Sequence, residues 1–535
     1  MKILNLFLVL VLMNCLFACA KKSEQAYDEA NTAAEMATDV KVSAKIIPYH
    51  KSKKKNKDDQ SPESDTESYD LIVENPFVSP KNEALSTFSI DVDNASFSNA
   101  RRFLESGALP PKDAVRIEEF INYFDYDYPQ PTDSHPFSVN TEVASCPWND
   151  QHKLVHIGLQ GKKLNYEDIK PCHLTFLIDV SGSMQDQNKL PLLKKSFGML
   201  LTQLSEKDRV AIVVYAGAEG VALPSTSCAD KQKIAEAFEK MTAGGGTAGG
   251  AGIELAYKIA QENLIKGGNN RVILATDGDF NVGQSSTSEL VRMIEEKRKL
   301  GIFLTVLGFG DGNYNDAMLE QLSNKGDGNY YYIDRPQEAE KVFVKQMRAT
   351  MFTIAKDVKI QVEFNPTKVQ AYRLIGYENR KLNKEDFNDD TKDAGELGAG
   401  HTVTAIYEII PVGIKSEFLK DVDALKYQNQ GNHSAANSDE LMTVKLRYKK
   451  PSEDTSILLS TVIKNNSQTY DKASENFRLS AAVAEFGLLL RESEFKKNAS
   501  YQQCLEILDK AQGKDENGYR HELWSMVKNA SGLKR

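Results

Sequence analysis

The sequence predicts an α/β protein: a doubly wound, mostly parallel, Rossmann-like sheet inserted into a flanking antiparallel β-sandwich, with a helical tail at the C-terminus. Three observations predict it. Between Cys172 and about Met347, the apolar runs Leu174–Val180, Val210–Tyr215, Val272–Thr276 and Phe303–Gly308 are continuous, as in strands covered on both faces. Helix-period segments at Leu190–Leu204, Asp230–Met241, Ala251–Asn263 and Ser288–Leu300 alternate with them, the order of a parallel sheet with crossover helices. On both sides of this unit the period returns to two: Ser138–Val143 and Leu154–Leu159 before it, then Val358–Phe364, Thr402–Tyr407, Met442–Tyr448 and Leu458–Ile463 after it.

In chain order, Met1-Lys2 precede an apolar stretch from Ile3 to Ala18 that is short for a bilayer span and typical of an export signal, so residues 1–18 are predicted to be a signal peptide. Residues 19–70 are polar, with few aromatics, and cannot bury enough apolar surface to offset their ordering entropy; they are predicted to be a disordered tether. Residues 71–165 form an N-terminal flanking domain, in which Leu85–Val92 alternates like a strand, Asn94 is placed to cap a helix through Leu104, and Arg116–Phe124 is a second short helix. The α/β unit spans 172–350 and closes with Tyr330–Ile333 and a helix from Pro336 to about Arg348. A β-rich C-terminal flanking domain spans 357–466. The helical tail spans 470–535, with the apolar stretch Ala481–Leu490 as its first buried helix.

A chain of 535 residues with 41% hydrophobic content supports several globular units. Its net charge of −9 argues against a nucleic-acid binder, despite the basic run Lys51–Lys57. Of the six cysteines, Cys15 lies in the signal and Cys19 at its end. Cys146, Cys172, Cys228 and Cys504 are too irregularly spaced for a zinc site and too few for a disulfide scaffold, which leaves a Cys146–Cys172 bridge open.

The chemistry converges on strand ends. Asp179, Ser181 and Ser183 follow the apolar run Leu174–Ile178. An Asp-x-Ser-x-Ser string alone arises by chance in roughly one chain in ten of this length. Two further residues give it weight: Thr247, in the loop Gly244–Gly250, and Asp277, which ends the strand pattern starting at Arg271. Doubly wound sheets bind ligands outside the carboxyl ends of their strands. Hydroxyls and carboxylates are hard donors that suit Mg²⁺ or Mn²⁺. An octahedral ion with few protein bonds keeps a position open for a carboxylate from another protein. Taken singly, Asp179, Ser181 and Ser183 also fit turn and helix caps. Asp277–Gly283 mimics the start of an EF-hand but has Val282 at the sixth position and Ser288 at the twelfth. The acidic run Glu385–Asp393 reads as a solvated loop, with Ca²⁺ as the alternative, and Gly244–Gly250 lacks the lysine of a phosphate-binding loop.

This constellation closely resembles the metal-ion-dependent adhesion site of the von Willebrand factor type A (vWA) domain. The resemblance implies direct ligation by Ser181, Ser183 and Thr247, with Asp179 and Asp277 in direct or water-mediated contact, and a domain that binds rather than transforms its ligand. Leu16-Phe17-Ala18-Cys19 resembles the bacterial lipobox, which implies lipidation of Cys19. Glu74–Phe77, Thr87–Asp93, Phe120–Phe124 and Asp389–Gly395 resemble segments of a bacterial envelope lipoprotein family built around this domain, with characteristic flanking domains on both sides. The expectation is a non-catalytic protein in the cell envelope, periplasmic or surface-facing. It would meet the membrane through its N-terminal lipid and dock an acidic side chain of a protein partner through Mg²⁺ or Mn²⁺, with no nucleic acid involved. No His-Glu-x-x-His or Gly-x-Ser-x-Gly motif occurs. A scaffold whose metal only stabilises loops, and a metal-dependent hydrolase, are the alternatives.

Overall fold

The computed structural model describes residues 67–164, 170–246, 249–278, 287–347, 351–419, 438–465 and 468–533. Its central sheet has six strands in the order Glu219–Ser227, Arg209–Tyr215, Cys172–Asp179, Asn269–Thr276, Ile302–Phe309, Tyr330–Ile333. All neighbours are parallel except the first pair. Every residue of Cys172–Asp179 and Asn269–Thr276 is buried, so these strands need apolar cover on both faces. Leu190–Gln203 and Lys231–Glu239 cover one face through Leu193, Phe197, Ile234 and Phe238. Gly249–Glu262, Thr287–Lys299 and Asp316–Lys325 cover the other through Ile253, Ala256, Ile294 and Leu319. The strand order reverses between Cys172–Asp179 and Asn269–Thr276, and Asp179 and Asp277 stand at the carboxyl ends of this pair. A crevice opens at such a reversal because the crossovers depart to opposite faces.

The α/β unit leaves after Gly161 and returns before Thr353, and the strands on either side close into one sandwich. Leu85–Ser89, Thr353–Phe364, Glu440–Lys449 and Ile457–Lys464 lie in one sheet, and Phe137–Cys146, Asn149–Gly161, Thr402–Pro411 and Val369–Ile375 form the other. Phe88, Ile360 and Val444 meet Ile157, Leu159 and Tyr407 between them. A helical layer joins the two ends of the chain: Ala95–Glu105 and Ile117–Asn122 share a core with Glu475–Arg491, Tyr501–Asp509 and Tyr519–Gly532. Buried arginines tie these layers to the α/β unit. Arg101 reaches Asp334, Glu338 and Glu522; Arg116 reaches Asp316 and Glu320.

Several sequence expectations need correction. Asn94 occupies the N-cap position, but its amide donates to Gln346 Oε1 at 3.1 Å, and the Ser96 N–H is taken by Glu119 Oε2 at 2.7 Å. A carboxylate far along the chain has replaced the local cap. The helix expected from Pro336 to about Arg348 is present, α-helical to Glu340 and π-helical over Lys341–Gln346. Residues 67–69, assigned to the tether, are docked: Glu67 accepts hydrogen bonds from Arg102 at 2.7 Å and from the Gly312 N–H at 3.0 Å, and Ser68 pairs with Asn315. Cys146 and Cys172 do not pair; all four described cysteines are free and buried. The predicted signal peptide and Cys19 lie outside the described residues. Among the described residues no helix is long and apolar enough to cross a membrane.

Candidate metal centre

The strand Cys172–Asp179 delivers Asp179 fully buried, and the chain then turns through a 3₁₀ segment, Gly182–Gln185, which leaves Ser181 buried and Ser183 exposed. Backbone hydrogen bonds lock this turn: Val180 N–H to Tyr215 O at 3.0 Å, Gly244 N–H to Val180 O at 2.7 Å and Gly182 N–H to Gly245 O at 3.1 Å. Asp179 Oδ1 accepts the Ser181 N–H at 2.8 Å, and Thr276 Oγ1 approaches Asp179 Oδ2 at 3.4 Å from the next strand. The structure thus brings Asp179, Ser181, Ser183 and Asp277 to one crevice. Thr247 lies outside the described residues, although the glycines before it are pinned against the site.

The Ser181 and Ser183 hydroxyl oxygens stand 3.0 Å apart. Adjacent ligands at about 2.0–2.1 Å from an octahedral Mg²⁺ have oxygens separated by about 3 Å, so this spacing suits one ion. Burial pushes Asp179 up to about 6; hydrogen bonds from Ser181 oppose the rise, and the nearby Asp277 carboxylate adds to it. Two buried carboxylates side by side call for positive charge. Part of it is supplied by a residue that sequence reasoning missed: Lys189 Nζ donates to Asp277 Oδ2 at 2.9 Å, and both side chains are buried. Its only sequence signal is a lysine ten residues after Asp179 at a helix start, which ordinarily marks an exposed position.

Two glycines hold this corner tight. Gly278, at φ +94°, would place a Cβ 2.6 Å from Asn315 N, and Gly310, at φ +73°, would place one 2.2 Å from Lys189 Cε. Segment 310–315 therefore packs directly against Gly278 and Lys189, and Glu67 accepts its Gly312 N–H.

Other candidates resolve differently. The run Glu385–Asp393 winds around two lysines: Lys359 donates to the Asp386 and Asp389 carbonyls, and Lys449 to the Asp390 carbonyl at 2.6 Å. Among the described residues no three His, Cys, Asp or Glu side chains gather to hold a metal, so an ion beside Asp179 would depend on hydroxyls. His156 lies buried between Tyr128 Oη at 2.6 Å and Ser480 Oγ at 2.9 Å, and burial pushes it down to about 3. Burial, with Arg209 nearby, pushes His173 down to about 4. Both rings are neutral parts of packed layers.

Three family models match the chain. One described as the von Willebrand factor type A domain covers residues 173–345, one described as von Willebrand factor covers 63–156, and one described as the C-terminal part of the uncharacterized protein YfbK covers 349–533. The uncharacterized protein YfbK of Escherichia coli (strain K12) is 42% identical over 478 residues, covering 88% of this chain and 82% of that protein. Inter-alpha-trypsin inhibitor heavy chain H4 of Homo sapiens is 29% identical over 168 residues, 30% of this chain and 18% of the relative. Among solved structures, a von Willebrand factor type A protein from Catenulispora acidiphila aligns with a TM-score of 0.41 and 15% identity, over 74% of this chain and 92% of the other.

Proposed function

Since this chain belongs to the YfbK family of proteins with a von Willebrand factor type A domain, we propose that it is a lipid-anchored envelope protein that binds a protein partner through a divalent cation, without catalysis. The observation that carries this reading is the pair of serine hydroxyls 3.0 Å apart, beside Asp179 and Asp277 at the reversal of the strand order. Ser181, Ser183 and Thr247 would hold Mg²⁺ or Mn²⁺, with Asp179 and Asp277 completing the donor set. The ion would supply an open position for a carboxylate of the partner. Exposure of Ser183 leaves one side of the crevice accessible to it. Cys19 would carry the lipid. The burial of His156 with Ser480 supports the non-catalytic reading, because a hydroxyl–imidazole pair without access to substrate has no nucleophilic use.

A pull-down from envelopes with and without Mg²⁺, comparing wild type with Asp179→Ala and Thr247→Ala, tests this. Partners should be lost in chelator and in both variants. Retention in all three would overturn docking through the ion. Lower thermal stability in chelator with unchanged partners would favour a scaffold whose metal steadies the loops. Labelled fatty acid should incorporate into wild type and not into Cys19→Ala.

A further inference from the structure

Away from the metal centre, a cavity of about 550 Å³ lies where the α/β unit meets the sandwich and the N-terminal helices. Ten acidic and four basic side chains line it, so carboxyl groups outnumber cationic ones. The two arginines in its wall are already committed: Arg116 to Asp316 and Glu320, Arg380 to Asp91 and Asp93. Three carboxylate oxygens in the wall nevertheless accept no hydrogen bond from another residue: Asp91 Oδ2, Glu118 Oε1 and Glu118 Oε2. Asp91 is 4% exposed and Glu118 0%. Buried carboxylate oxygens without donors are costly, and positive charge held in the cavity beside them lowers that cost. Burial, with Glu378 adding and Arg491 opposing, pushes Glu118 up to about 7, and burial, with Asp91 adding and Arg380 opposing, pushes Asp93 up to about 8.

The surroundings indicate which cation. Among the described residues no three carboxylates converge closely enough for a metal ion, so the charge to be met is spread along the wall. At the mouth, Leu71 and Val73 also line the cavity and are 79% and 73% exposed, which offers an apolar stem a surface to cover. We propose that this cavity binds an organic cation, an ammonium or guanidinium group on an apolar stem. A lysine or arginine side chain between apolar residues of a peptide, and a free alkylamine, present the same chemistry.

Calorimetric titration of the full chain with n-pentylamine, with acetyl-Leu-Lys-Leu-amide and with n-pentanol tests the proposal and separates the two sources. Both cations should bind saturably at millimolar concentration, and pentanol at least about tenfold more weakly. Glu118→Gln, which keeps the shape and removes the charge, should weaken both cations by about tenfold or more, with its thermal midpoint verifying the fold. Tighter binding of the peptide than of the amine identifies a protein ligand, and equal binding a small one. Pentanol binding as well as pentylamine, undiminished binding by Glu118→Gln, or no saturable heat from either cation would overturn it. If Glu118→Gln does not fold, the contrast between pentylamine and pentanol on wild type still decides.

Discussion

Two places where this protein buries carboxylates are built on opposite principles. At the junction between the α/β unit and the helical layer, carboxylates are matched by arginines: Arg101 alone meets Asp334, Glu338 and Glu522. At the crevice above the central sheet, Asp179 accepts from the Ser181 N–H and the Thr276 hydroxyl, and Asp277 from one lysine, Lys189. A planar guanidinium satisfies several carboxylates at fixed geometry and fastens the layers together. A single ammonium with hydroxyl oxygens around it leaves negative charge in place, which is the condition for taking up a further cation.

The comparison breaks first, and most severely, at the junction. Arg101→Met should destabilise the fold by about 3–5 kcal/mol, because it strands buried carboxylates without their counter-charge. Chemical denaturation would show the loss equally with and without Mg²⁺. A loss of under about 1 kcal/mol would mean that the junction is no more than a surface-like ion pair.

Lys189→Met is the sharper test at the crevice. Removing the ammonium leaves the buried Asp277 without that cation and should cost the metal-free protein about 1–3 kcal/mol. The same change raises the negative charge of the crevice, so Mg²⁺ should bind about tenfold tighter, and its addition should raise the melting midpoint of the variant more than that of wild type. Calorimetric titration of Mg²⁺ reads this out. Weaker Mg²⁺ binding by the variant would show instead that Lys189 chiefly positions Asp277.

The same contrast explains what the sequence made legible. Continuous apolar runs such as Val272–Thr276 announce strands covered on both faces, and Asp-x-Ser-x-Ser announces the crevice, because both patterns are local. The edge strand Glu219–Ser227 was not predicted: it contains Pro224 and is largely open to solvent, so it carries little hydrophobic signal. Lys189 and the arginine junction escaped for a different reason. Arg116 meets Asp316 across two hundred positions, and Glu119, not Asn94, takes the Ser96 N–H, so these partners are chosen by packing and leave no spacing to read. Residues 67–69 are docked by the same kind of long-range contact, from Arg102 and Gly312, although their composition matches the tether before them.

The smallest expected effect concerns a buried carboxylate on the helical side that stands outside the arginine pattern. Glu485, in the helix Glu475–Arg491, is fully buried; Oε1 accepts the Ser500 N–H at 3.0 Å, and Oε2 has no hydrogen-bond partner among the described residues. Burial raises it from 4.5 to about 8, and the Ser500 N–H and the Cys504 thiol only partly oppose the rise. Between these two values the folded protein holds a proton that the unfolded chain has released, so stability from this group is fully present below pH 4.5 and is lost as pH rises toward 8. Glu485→Gln should flatten that decline, matching wild type near the lower value and exceeding it near the upper one by on the order of 1–3 kcal/mol. Denaturation midpoints of both proteins across this range measure it. Parallel curves would mean that Glu485 is ionised in the fold, and that a buried carboxylate here tolerates its charge without the arginine that its neighbours across the junction require.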